Sequence, residues 1–125
     1  MPRRHPAWTL NYYRSDAWRD RKAAYYKRIQ RQCAACGRRG GRIDLHHLQY
    51  AGEGWDLRKQ SDWGKEPNQA LMPLCGPRWL GLIRGCHFNA HDAEASGRFR
   101  DLREATEEIV KRGRRRRAIQ KKLGI

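Results

Sequence analysis

Hydrophobic positions along this chain recur at two different periods, and the switches between them mark out its elements. From Ser15 to about Gln32, Trp18, Tyr25 or Tyr26, and Ile29 fall at helical spacing, opposite Arg19, Lys22, Lys27 and Arg31. Ser15 offers a side-chain cap with Asp16 in the first turn, so a helix is predicted over 15–32. Arg42-Ile43-Asp44-Leu45-His46-His47-Leu48 alternates well enough for a strand. The apolar run Ala70–Leu74 predicts a second strand, and the polar, glycine-rich stretch 49–69 a long loop between the two. Cys75–Gly85 reads as a connection anchored by Trp79 and Leu82. A helix is predicted from near Cys86 to about Ala95, stopped by Gly97. A last helix starts at about Arg98 and buries Phe99, Leu102, Ala105, Ile109 and Val110. Residues 1–14 carry two prolines and three arginines without periodicity and read as a basic arm. Short strands set among helices make the expected class α+β.

Composition narrows what such a fold can do. The 125 residues suffice for one domain with a modest core. Lys plus Arg total 28 against 13 Asp plus Glu, a formal charge of +15. Such a chain repels itself unless an anion or a metal contributes, so a polyanion is the expected partner. The longest apolar runs, 71–75 and 79–83, are far too short for a membrane span. The first fifteen residues carry charge without an apolar stretch, so no signal peptide is expected and the setting is intracellular. Beyond Val110 the chain is almost purely basic: Lys111, Arg112, Arg114, Arg115, Arg116, Arg117, Lys121 and Lys122. In so basic a chain this block is expected to touch phosphates, with a steep salt dependence and weak sequence preference.

Four cysteines and five histidines carry the candidate chemistry. Two disulfides would suit a secreted protein; in a reducing compartment, Cys33-Ala34-Ala35-Cys36 with Cys75 and Cys86 reads as a metal set. A redox CxxC would need a preceding strand, and none is predicted. His87 and His91 stand four apart, so on a helix they share one face and could grip one cation. His46 and His47 are adjacent on a strand, so their side chains diverge. One can bind a metal while its neighbour acts as a base.

Taken in order, Cys33-x-x-Cys36, Leu45-His46-His47-Leu48, Tyr50, Glu66, Leu71–Cys75 and Cys86-His87-x-x-x-His91 resemble the HNH endonucleases. The resemblance covers roughly residues 12–92, the helix around Trp18 included. It implies a small ββα-metal core stapled by zinc and flanked by an N-terminal and a C-terminal helix. The chain would then divide into an arm (1–14), a helix (15–32), the knuckle and core (33–95), and a helix with a basic tail (98–125). The same resemblance implies that Cys33, Cys36, Cys75 and Cys86 hold a structural Zn²⁺. It makes His46 and His87, with His91 as an extra ligand, the holders of a catalytic divalent cation (Mg²⁺, Mn²⁺ or Ni²⁺), and His47 the general base. The implied substrate is double-stranded DNA, its backbone met by Arg112 and Arg114–Arg117, and the implied setting a bacterial cytoplasm, the gene being the cell's own or a phage's.

Two departures from the family pattern stand out. Ten residues separate Cys75 from Cys86 where two are usual, which leaves open whether Cys86 or His87 completes the zinc set. Ala70 stands where the motif's asparagine belongs. Asn68 could replace it, orienting His47 through a side-chain bond to loop backbone, or could be a turn residue after Pro67. The rival function is a non-catalytic, zinc-bearing nucleic-acid-binding module on the same scaffold. An RNA-binding accessory protein would leave the His46-His47 pair without a role.

Overall fold

Two helices of this protein begin where a side chain satisfies the first free backbone donors. Ser15 accepts from Trp18 N and opens α2 (Asp16–Tyr26); Asp101 accepts from Glu104 N and opens α4 (Leu102–Leu123). Each such cap is worth about 1 kcal/mol. The computed structural model describes residues 7–77 and 84–124. Besides these two helices it contains α1 (Ala7–Tyr13), α3 (Gly85–Ala95) and four strands: β1 (Ile43–His47), β2 (Ala51–Gly52), β3 (Trp55–Asp56) and β4 (Leu71–Cys75). The class is α+β, with four helices and two two-stranded sheets, β1–β4 and β2–β3, among the described residues. No helix among them is long and apolar enough to cross a membrane.

The described residues form two compact units. The first takes those up to Gln30 together with His47–Met72; the second takes Arg31–His46 and those from Pro73 onward. In the first unit an aromatic core gathers Tyr12, Trp18 and Tyr25 with Leu48, Leu57 and Leu71, all buried. The arm expected over 1–14 is corrected here, since residues 7–13 form α1. Tyr12 of that helix is fully buried and donates to Glu66, an anchor that hydrophobic periodicity alone does not reveal. Helix α2 ends at Tyr26 rather than Gln32, because Lys27–Gln32 offers one apolar residue, Ile29, and so no face to bury. The loop expected over 49–69 is also corrected. Ala51 pairs with Asp56 and Gly52 with Trp55, a hairpin turned by Glu53 and Gly54, and two single 3-10 turns follow, Gln60–Asp62 and Asn68–Ala70.

In the second unit Gly76 N donates to Arg42 O at 2.9 Å, as Leu48 N does to Ala70 O in the first at 2.8 Å, so β1 and β4 run antiparallel. The strands stand within one residue of their expected bounds. Helix α3 also keeps its expected span, and Gly97 follows its end in the left-handed conformation. Helix α4 starts four residues later than expected, leaving Phe99 outside it, and continues through the whole arginine block. Its buried residues are Ala105, Thr106 and Val110. Gly113, on the same helix, rests on the carbonyl of Ala35: a Cβ there would stand 2.6 Å from that oxygen. The expected anchors Trp79 and Leu82 lie outside the described residues.

Candidate functional site

The knuckle is built by short-range backbone bonds. Cys33 N donates to Arg38 O, and Gly37 N to Cys33 O, which curls Cys33–Arg38 so that both thiols face inward; Ala34 N donates to Pro73 O and ties the curl to β4. Cys86 N donates to Cys75 Sγ, bringing the start of α3 to the end of β4. The sulfurs of Cys33, Cys36, Cys75 and Cys86 all lie within 4.8 Å of one another. Two sulfurs each about 2.3 Å from a tetrahedral ion stand about 3.8 Å apart, and Cys36 Sγ lies 3.7 Å from Cys75 Sγ. Four thiols at that spacing could hold a structural metal ion. The cluster already favours a thiolate: bonds from Cys75 and then Cys86 hold the Cys33 thiol far below its ordinary range, and the bond to Cys33 pushes Cys86 up. Cys86, and not His87, completes this set.

His87 belongs to a second cluster, with His46 and His91, whose ring nitrogens also come within 4.8 Å of one another. His87 and His91 share a face of α3, and their Nε2 atoms are 3.2 Å apart. Imidazole nitrogens about 2.1 Å from one ion stand roughly 3.0–3.4 Å apart, so this pair fits a shared cation. Two outer residues fix the proton positions. Thr106 Oγ1 donates its only proton to Leu102 O at 2.7 Å and therefore accepts from His46 Nε2 at 2.9 Å. That leaves His46 its lone pair on Nδ1. Asp44 Oδ2 accepts from His87 Nδ1 at 2.9 Å, so the lone pair of His87 is on Nε2. Burial raises the Asp44 carboxyl, but bonds from His87 and Arg42 outweigh that and hold it below its ordinary value, as an acceptor. Thr106 and Asp44 were not singled out in the sequence. Asp44 shares a strand face with His46 at i, i+2, and Thr106 interrupts the apolar face of α4; both were legible signals.

His47 points the other way, as adjacent strand residues must, into the aromatic core of the first unit. Its Nε2 lies 2.8 Å from Glu66 Oε2, and both side chains are 0% exposed. Tyr12 donates to both oxygens of Glu66, while Arg21 grips the Glu66 carbonyl at 2.8 and 3.0 Å and stands 3.5 Å from its carboxylate. Burial, then the bond to Glu66, pushes the Tyr12 phenol above its ordinary value, so it stays a donor. A carboxylate so placed accepts the hydrogen bond of His47 Nε2–H and leaves the ring's lone pair on Nδ1. The Tyr13 hydroxyl lies 3.3 Å from that Nδ1, and its own ionisation is suppressed by burial and then by Tyr50. The Trp18 and Tyr50 rings flank the imidazole at 4.9 and 5.4 Å.

Asn68 does not have the role expected of it. It is exposed, its Oδ1 accepts from Arg21 Nη2 at 2.6 Å, and both ring nitrogens of His47 are met by Glu66 and Tyr13 instead. Glu66 was visible only as a motif letter without a function. The arginine block lies on α4: Arg112 pairs with Glu108 at 3.0 Å, the Arg117 guanidinium covers Gly37, and Arg114, Arg115 and Arg116 are exposed. Compared with family models, with curated proteins and with solved structures, the chain matches none.

Proposed function

We propose that this protein is a zinc-stapled HNH endonuclease that hydrolyses phosphodiester bonds of DNA. The observation that carries the reading is the split between consecutive residues of β1. His46 joins His87 and His91 in a cluster fit for a cation, while His47 is held by a buried carboxylate as a base. Antiparallel β1 and β4 followed by α3, with both histidine ligands of α3 beside His46, support a ββα-metal core. The cysteine set, with its donor chemistry and spacing, supports Zn²⁺ in the knuckle.

In this reading Glu66 fixes the tautomer of His47 and stabilises the imidazolium that forms when Nδ1 takes a proton from the attacking water. Tyr13 occupies the approach to Nδ1, so its hydroxyl turns aside or passes the proton on. His46, His87 and His91 hold the divalent cation, oriented by Thr106 and Asp44. When bound, that ion supplies charge relief at the phosphate and at the leaving oxygen. The complete cover over His47 and the alanine at position 70 favour the rival reading, a nucleic-acid-binding module without turnover.

Relaxation of supercoiled plasmid with Mg²⁺, Mn²⁺ or Ni²⁺ separates the two. The parent nicks the plasmid, and His47→Ala loses about 10²- to 10⁴-fold in rate while still binding DNA and melting cooperatively. Binding without nicking in all three metals overturns the nuclease reading in favour of the module.

A further inference from the structure

The second unit contains a groove of about 670 Å³ between α3, α4 and the cysteine knuckle, within the usual range of ligand pockets. Its lining is chemically two-sided. Arg98, Arg112, Arg116 and Arg117 supply cations, while Phe99 and Ile109 supply an apolar surface, with Asn89 and Gln120 beside them. The acidic residue in the lining, Asp92, is taken by Arg84 at 2.6 Å. A tetrathiolate around a divalent ion would carry a net charge of minus two, and Cys36 and Cys86 border the groove. Arg117, which covers Gly37, and Arg38, bonded to Gly40 O, belong to the knuckle's own surroundings and can balance that charge. That still leaves Arg98 and Arg116, whose side chains have no hydrogen-bond or ion-pair partner among the described residues. Arg112, whose 3.0 Å pair with Glu108 is solvent-exposed and so weakly held, sits one helical turn from Arg116 on α4, about 6 Å along its axis.

We propose that this groove binds single-stranded DNA, with phosphates on Arg112 and Arg116 and an unstacked base on Phe99. Planar guanidinium groups suit phosphate oxygens. An aromatic ring with amides beside it suits a base whose face is free, which a stacked duplex does not present. The proposal rests on the nuclease reading and adds to its duplex substrate a separate site for an unpaired strand, and it is tested by binding alone.

The experiment measures fluorescence anisotropy of a labelled oligo(dT) and of the matching duplex, using full-length His47→Ala to exclude cutting. The single strand is expected to bind more tightly than the duplex. Adding Phe99→Ala should weaken single-strand binding about 5- to 150-fold while leaving duplex binding within about two-fold. Phe99→Leu, which keeps apolar packing, should show the same selective loss with an unchanged melting temperature. Arg116→Ala should lower the slope of log affinity against log salt by roughly one contact. Equal binding of both forms, or single-strand affinity untouched by Phe99→Leu in a folded protein, overturns the proposal. If plasmid is nicked and Phe99→Leu changes nothing, the nuclease stands and the groove falls. If plasmid is never nicked and the selective loss appears, the groove stands alone.

Discussion

Replacing Thr106 by valine removes one hydroxyl from the interior and keeps the shape of the side chain. Thr106 is 0% exposed and His46 1%, so no bulk water stands ready to replace the lost acceptor. His46 then has two options. It can keep its proton on Nε2, leaving a buried donor unpaired at a cost of about 1–3 kcal/mol. Alternatively, it can move the proton to Nδ1, which spares the donor but withdraws the lone pair that a cation would use. Both lower metal affinity. Loss of an outer partner of a histidine ligand typically costs about 10- to 100-fold in affinity, or roughly 1.4–2.7 kcal/mol. Titration calorimetry with Ni²⁺, on protein whose knuckle is already loaded with Zn²⁺, should read that loss for Thr106→Val. Thr106→Ser, which keeps the hydroxyl, should stay within about three-fold of the parent. Long-range ¹⁵N correlation spectra of His46 report the tautomer directly. A valine variant with parental affinity would refute the role given to Thr106, and metal binding by a His46 protonated on Nδ1 would refute the assignment of Nδ1 as the ligand.

Three further outcomes follow from the same structure. A strong zinc chelator should collapse the second unit, seen as loss of helical circular dichroism, whereas brief mild EDTA should stop nicking first; simultaneous loss of both would contradict two separate metal sites. Gly113→Ala should destabilise by roughly 1–2 kcal/mol in thermal unfolding, because contact with the Ala35 carbonyl outweighs the helix-propensity gain of about 1 kcal/mol; a stabilised variant would mean that α4 does not dock there. Truncation after Val110 removes Arg112 and Arg114–Arg117 and should flatten the salt dependence of duplex binding by about four to five in log–log slope; an unaltered slope would make the block a solvated helix end.

How much of this was legible in the sequence depended on whether a feature is local. The strands β1 and β4, helix α3, the cap at Ser15 and the opposed side chains of His46 and His47 all follow from period and spacing, and all stand close to where those rules put them. The cysteine set was legible because donor type and pairing are written in the chain, although only the folded geometry decides between Cys86 and His87 as its fourth member. Helix α1 was not legible. Its stability comes from Tyr12 reaching Glu66 across 54 positions of sequence, and no window of a dozen residues contains both partners.

The same limit explains the exchange of Asn68 for Glu66 at His47. A motif letter predicts that something near position 70 orients the imidazole, but which side chain does so is decided by burial. Asn68, on an exposed 3-10 turn, falls to Arg21, whereas Glu66, four residues before Ala70, is carried into the aromatic core with three donors waiting in Tyr12, His47 and Arg21. An ionised carboxylate inside an aromatic core is costly unless every oxygen is met, and here each is. A chain with two carboxylates or amides within a few residues of a required position will use the one whose partners the fold has already buried. That choice is made by long-range packing, so the residue named by the motif and the residue that performs its task need not coincide.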